Sequence, residues 1–190
     1  MRKFIEDQTF IKLNCAESPL EKAEYENCIF SECDFSASSL NSIVFSNCEF
    51  NECNLSMTKI SDTAFRTVKF NHCKLAGLQF DGCNPFLLEM NFFECNLNYA
   101  TFYKLNMKNA DFSGSSLQEV DFTEANLAGA VFTNCDLQNA VFDRTNLMGA
   151  NLETAYNYEI NPTNNVVKNA RFSYPGMIGL VTSFKVKIVK

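Results

Sequence analysis

An all-β repeat solenoid closed by a short C-terminal helix and strand is the fold that this 190-residue sequence predicts, and three observations carry that reading. A large apolar side chain recurs at every fifth position, a spacing that suits neither the 3.6-residue period of a helix nor the two-residue alternation of a plain strand. A small or apolar residue stands two places before each of these centres, so two side chains in five point inward and three point outward. The composition supplies a core for one domain, with 46% hydrophobic residues, 19 Phe and no Trp.

The centres begin at Leu20 and continue through Tyr25, Phe30, Phe35, Leu40, Phe45, Phe50, Leu55, Ile60, Phe65, Phe70, Leu75 and Phe80. The register breaks over residues 83–91 and resumes shifted by two, from Phe92, Leu97, Phe102, Met107 and Phe112 to Leu152. No centre in either frame is polar. The preceding inward position reads Cys28, Cys33, Ser38, Ile43, Cys48, Cys53 and Thr58 in the first frame. In the second it reads Ala100, Ala110, Ser115, Ala125, Ala130 and Cys135. The remaining positions are mostly Asn, Ser, Asp, Glu, Gln, Lys, Thr and Gly, as an exposed surface requires.

Segments such as Ala110-Asp111-Phe112-Ser113-Gly114, Ala125-Asn126-Leu127-Ala128-Gly129 and Ala150-Asn151-Leu152-Glu153-Thr154 resemble the A-(D/N)-(L/F)-x-x motif of the pentapeptide repeat family. The resemblance spans residues 18–156, with one further unit at 170–173. It implies a right-handed quadrilateral β-helix in which four pentads make a square coil of 20 residues. The second frame agrees independently, because Phe alternates with Leu or Met. A 20-residue turn then stacks Phe92, Phe112 and Phe132 on one face, Phe102, Phe122 and Phe142 on the opposite face, and Leu97, Leu117 and Leu137 on a third. At a strand spacing of about 4.8 Å, the repeats form a rod of roughly 31 Å.

Three segments follow: an irregular N-terminal coil at 1–17, the repeat β-helix at 18–156 with its break near 83–91, and a loop, last partial repeat and cap at 157–190. Within the cap, residues 175–181 read as one or two helical turns, and 184–190 alternate as a strand does. An open solenoid end invites pairing with another chain. Met177, Ile178, Leu180, Val181, Phe184, Val186 and Ile188 are therefore the candidate cap or dimer residues. The family resemblance favours a homodimer joined at this end.

Eight of the nine cysteines, all but Cys15, fall at the inward small position or continue its register, which suits a small buried hydrophobe. Their C-x4-C spacing places neighbours on different sides of the square, unlike the C-x2-C pairs of zinc sites. The only histidine, His72, is outward. No nucleophile–base pair, glycine-rich phosphate loop or metal set emerges, so neither an enzymatic role nor a cofactor is expected. The start of the chain lacks the pattern of a secretory signal, which favours a cytoplasmic location. No apolar run is long enough to cross a membrane.

A net charge of −6 argues against direct nucleic-acid binding. The charge is segregated. Residues 6–52 hold ten acids against Lys12 and Lys22, and residues 109–143 hold Asp111, Glu119, Asp121, Glu124, Asp136 and Asp143 with no base. On a square coil Asp121, Glu124 and Asp143 share one face, Glu119 and Asp136 share the next, and the face with Ala128, Gly129, Met148 and Gly149 has no acid. The runs around Phe80–Leu97 and Phe112–Leu152 resemble the Qnr-type, quinolone-resistance branch of the family, without its projecting loops. That resemblance implies a DNA-mimicking rod whose six acids at 111–143 contact DNA gyrase or topoisomerase IV. A scaffold for another protein partner is the alternative reading.

Overall fold

Four short sides make one turn of chain, and each turn returns directly above the one before, at an offset of 20 residues except across the register break, where it is 22. The computed structural model describes residues 3–187, and its repeats form a right-handed β-solenoid of about eight turns. Strands β1 (Lys3–Glu6), β3 (Ala23–Glu26), β5 (Val44–Ser46) and β7 (Ala64–Arg66) stack in parallel as one sheet. Strands β2 (Thr9–Ile11), β4 (Ile29–Ser31), β6 (Glu49–Asn51), β8 (Val68–Asn71) and β9 (Met90–Phe93) form a second. The other sides are too short for strands and are held by single parallel bridges, among them Asn54↔Lys74 and Asp121↔Val141. A last pair, β10 (Asn151–Leu152) with β11 (Arg171–Phe172), keeps the same 20-residue register.

The described part of the 1–17 segment, expected to be irregular, enters this ladder: Lys3 pairs with Ala23 and Phe10 with Phe30. Pairing also continues beyond residue 156, with Asn146 opposite Val166. Backbone hydrogen bonding from the neighbouring coil imposes the register at both ends, even where the apolar spacing is loose.

The interior is filled by stacked rings. One ladder runs through Phe10, Phe30, Phe50, Phe70, Phe92, Phe112 and Phe132, with centroid separations of 4.8–5.3 Å. A second runs through Phe80, Phe102, Phe122 and Phe142, and it meets the first edge-on, as between Phe92 and Phe102 at 78°. Parallel stacking along the axis and edge contacts across it are the two arrangements that aromatic quadrupoles favour. The centres are sealed from solvent, with Phe92 1% exposed and Phe112 fully buried.

The register break is absorbed locally. Ala64 still faces Asn84 at an offset of 20, whereas Val68 faces Met90 and Phe70 faces Phe92 at an offset of 22. The two extra residues therefore lie between Asn84 and Met90. There Asn84 Oδ1 accepts the Phe86 N–H at 3.0 Å, Leu88 packs against the core, and Phe86 and Leu87 are left outside. The phenylalanine ladder crosses the break without losing a rung.

The small inward position does more than save space. Thr63 Oγ1 donates to the Leu40 carbonyl at 2.9 Å, and Thr145 Oγ1 donates to the Phe122 carbonyl at 2.8 Å. Cys53 and Cys73 donate through sulfur to the Phe30 and Phe50 carbonyls at 3.3 Å. Asn165 repeats the contact with Phe142 at 3.0 Å. The sequence reading of cysteine as a plain small hydrophobe is thus incomplete, because Cys, Thr and Asn here also tie one coil to the coil beneath. Burial pushes the Cys48 and Cys135 thiols up to about 12. Cys95, whose sulfur accepts from Cys73, is the exception and is held lower. All nine cysteines are free and buried.

At most corners, the residue two past the centre adopts left-handed backbone, as at Asn109 (φ 60°), Asn139 (φ 57°) and Gly129 (φ 71°). Asn tolerates this region better than most residues, which explains its abundance there.

The predicted C-terminal helical turns are present as a 3-10 turn at Pro175–Met177, the short helix α1 (Ile178–Val181) and a second 3-10 turn at Thr182–Phe184. The cap lies across its own last coil. The Ile160 N–H bonds the Gly179 carbonyl at 3.0 Å, and Leu180 packs on the core. Gly179 permits the approach, since a Cβ there would fall 2.2 Å from the Tyr158 carbonyl oxygen. The expected strand at 184–190 is not formed in its described part: Lys185 turns into the left-handed region, and Ile188 lies outside the described residues.

Replacing Phe112 by Ala should destabilise the fold by about 3–5 kcal/mol, since neighbouring rungs cannot collapse into the gap. Urea unfolding of the variant checks this. Gly179→Val should release the cap from Tyr158, read as faster proteolysis after Lys185 with the repeat core intact. A thiol reagent such as Ellman's should label the native protein far more slowly than the urea-unfolded chain, where all nine cysteines react.

Candidate interaction surfaces

A filled core leaves any chemistry on the outside. Among the described residues, no group of three or more His, Cys, Asp or Glu is arranged to hold a metal ion. Among them, too, no helix is long and apolar enough to cross a membrane. His72 Nδ1 lies 3.2 Å from the Glu94 carboxylate and its ring meets the Phe93 ring edge-on, and both His72 and Glu94 are about half exposed. Glu94, on the next coil, is a partner that the sequence reading did not single out.

The six candidate acids divide by what holds them. Asp111, Asp121 and Asp136 stand one before a centre, where each side chain accepts a backbone N–H two residues on, from Ser113, Thr123 and Gln138 respectively. These are Asx turns that brace a corner. Asp136 also accepts from the side chains of Gln118 and Asn157, at 2.7 and 2.8 Å. Asp143 accepts from Asn164 and meets Arg144 at 3.2 Å. Glu119 is exposed at a left-handed corner.

Glu124 is brought beside Asp143 through the Glu124 N–H, which donates to the Asp143 carbonyl at 2.8 Å. Lys104 reaches Glu124 at 3.5 Å from the coil before, and Arg144 reaches it at 3.0 Å from the coil after. The run from 109 to 143 contains no base in sequence, but the coil places two bases against it. Exposed pairs of this kind add little stability, yet they cancel local charge.

A different side carries no carboxylate from Asn106 onward. Asn106, Asn126, Asn146 and Val166 follow one another in bridge register, with Asn126 and Asn146 each donating to the amide oxygen of the coil before at 2.9 Å. Beside them lie Ala128, Gly129, Met148 and Gly149, with Lys108 and Lys168 at the two ends. The extruded Phe86 and Leu87, each 64% exposed, project from the register break, with the Arg66 guanidinium 5.8 Å from the Phe86 ring centroid. The sequence locates the break but not the direction in which its side chains emerge.

At the cap, Leu180 and Val181 are partly covered, whereas Met177, Ile178, Phe184 and Val186 are 49–56% exposed. Tyr174, which the sequence reading passed over, is 87% exposed among them.

The pentapeptide repeat region family model matches residues 18–86 and 79–152. No curated protein sequence matches the chain. Among solved structures, full-length QnrB1, described as a plasmid-mediated fluoroquinolone resistance protein, superposes with a TM-score of 0.64 at 14% identity. That match covers 96% of this chain and all of QnrB1. A trypsin-treated variant of QnrB1 gives 0.50 at 18% identity, over 100% of this chain and 99% of that one. HetL from the cyanobacterium Nostoc sp. strain PCC 7120, involved in regulating heterocyst differentiation, gives 0.46 at 18% identity, over 88% and 86%. With its stacked 20-residue coils, phenylalanine ladders and a family match over most of its length, the chain belongs to the pentapeptide repeat family.

Proposed function

We propose that this protein is a non-enzymatic, cytoplasmic protein-binding rod, homodimeric through its C-terminal cap, whose acidic faces engage DNA gyrase or topoisomerase IV. The observation that carries the reading is the gathering of Asp121, Glu124 and Asp143 on one side, with Glu119 and Asp136 on the next, along an uninterrupted stretch of coil. The fold likeness to QnrB1, a fluoroquinolone resistance protein, directs the choice of partner. Duplex DNA carries about one charge per 1.7 Å, far more than a chain of net charge −6 provides. Contact is therefore confined to the acidic faces.

A scaffold serving another protein is the second reading. It is favoured by the bases that Lys104 and Arg144 bring against Glu124, and by the carboxylate-free side beside Ala128 and Met148. Solenoids offer long flat faces that suit such partners.

A gyrase supercoiling assay with purified protein, with and without a quinolone, separates the two readings. The comparison is a variant carrying Asp121→Asn, Glu124→Gln, Asp136→Asn and Asp143→Asn. Asn keeps the oxygen that accepts the turn hydrogen bond, so the fold should survive while the charge is lost. Inhibition or drug relief that vanishes in the variant supports the topoisomerase reading, and no effect at micromolar protein rejects it. For the dimer, Met177→Glu combined with Phe184→Glu should halve the mass measured by light scattering. An unchanged mass would remove the cap as the joint.

A further inference from the structure

The two ends of the solenoid are finished differently. The cap seals the last coil, whereas β1 and β2 are the outermost strands of their sheets, and among the described residues none lies across them. The centres of the second coil, Tyr25, Phe30, Phe35 and Leu40, are at most 1% exposed. Their counterparts at the end, Ile5, Phe10 and Leu20, are only partly covered, as is Leu13 beside them. Phe10 stacks on Phe30 at 4.9 Å and is the first rung of its ladder.

The backbone is open in the same direction. Ile29 and Asp34 donate their N–H groups to the Gln8 and Leu13 carbonyls at 2.9 and 2.7 Å, so Thr9 and Asn14, one coil earlier, aim theirs past the end. Asp7 and Lys12 donate to the Glu26 and Ser31 carbonyls at 3.1 and 2.9 Å, and the same register turns the Glu6 and Ile11 carbonyls outward. Pro19 stands where Lys59 donates two coils later, so the fourth side has no N–H to offer there. Open strand edges around a half-covered apolar centre template another chain.

We propose that this end joins a second copy of the chain, head to head. An extended peptide would cover one side, whereas another square coil end matches all four sides and the apolar middle at once. A two-fold axis across the rod sets facing sides antiparallel, the relation in which strands exchange N–H···O=C pairs. A side of five residues at about 3.3 Å each, with its outward side chains, gives an end face of roughly 600 Å², so two copies bury about 1,200 Å², the lower bound for a specific interface. Charge permits the contact. Residues 3–22 hold four acids and three bases, whereas residues 23–52 hold six acids and no base. Like copies therefore repel along their walls and meet with little repulsion at the end. This joint is independent of the cap and uses none of the six acids between 111 and 143.

The test uses the full chain carrying Met177→Glu and Phe184→Glu, so that the cap cannot contribute. Its mass is followed by light scattering from about 5 to about 500 µM, a range that brackets the affinity of so small an interface. The mass should rise from one chain toward two. Over the same range, amide exchange read by 15N NMR should slow at Thr9 and Asn14 and stay constant at Ile160, beneath the cap. Thr9→Pro removes an outward donor without breaking a bond inside the coil, and it should weaken association by about tenfold because both copies lose it. Leu20→Lys sets a charge on the apolar middle and should hold the mass at one chain. Where Leu20→Lys fails to fold, Thr9→Pro decides. A single-chain mass throughout would overturn the proposal and leave this end to a strand of a different protein. A rise in mass that Thr9→Pro does not weaken, or slowed exchange confined to the cap, would overturn it as well.

Discussion

The vertical stacking of one coil on the next is the interaction on which every other feature of this molecule depends. No single coil can bury its apolar centres, since two faces of any flat square are open. Stacking covers both at once, and it pairs the backbone of each side with the side above. The phenylalanine ladders and the hydrogen bonds from inward Thr, Cys and Asn to the carbonyls beneath act along the same axis. All three therefore fail together if the register slips. This explains why the two-residue insertion after Asn84 is pushed outward rather than spread through the ladder. A bulge at one corner leaves Phe70 over Phe92, whereas a distributed shift would unstack every rung above it.

The same geometry assigns function to the surface. An interior closed by rings has no room for substrate, and the corner residues are committed to backbone geometry. Only side chains that flank the centres, project from the corners, or are thrown outward by a bulge or cap remain for recognition. The acids illustrate the division. Asp111, Asp121 and Asp136 serve both as corner braces and as surface charge, whereas Glu119 and Glu124 project from the corners. The rod accordingly presents distinct faces: acidic sides crossed by two bases, a carboxylate-free side of amides and small residues, and an apolar end.

That end is built around Tyr158. Its ring fills the space over the last coil where the repeat can no longer supply a centre, and glycines at 176 and 179 let the cap settle onto it. Leu180 faces inward to complete the seal, while Met177, Ile178 and Phe184 face away. One short segment thus closes the open edges of the solenoid and creates a new apolar surface beyond them.

The solenoid itself was written into the order of residues. A five-residue apolar period suits neither helix nor plain strand, and the alternation of Phe with Leu in the second frame names which residues stack, because both are one-dimensional properties repeated along the chain. The inward position of Phe112 or Leu127, the outward position of His72 and the helical turns near residue 178 were legible for that reason. Relations between coils belong instead to the folded molecule. Lys104 and Arg144 each stand 20 residues from Glu124 along the chain, and only the winding brings both to it. The inward thiols and hydroxyls looked merely small until the carbonyls beneath them were placed. The exit of Phe86 and Leu87, and the enclosure of Tyr158 beneath the cap, depend on local departures from the repeat, where periodicity carries no information and packing alone chooses the outcome.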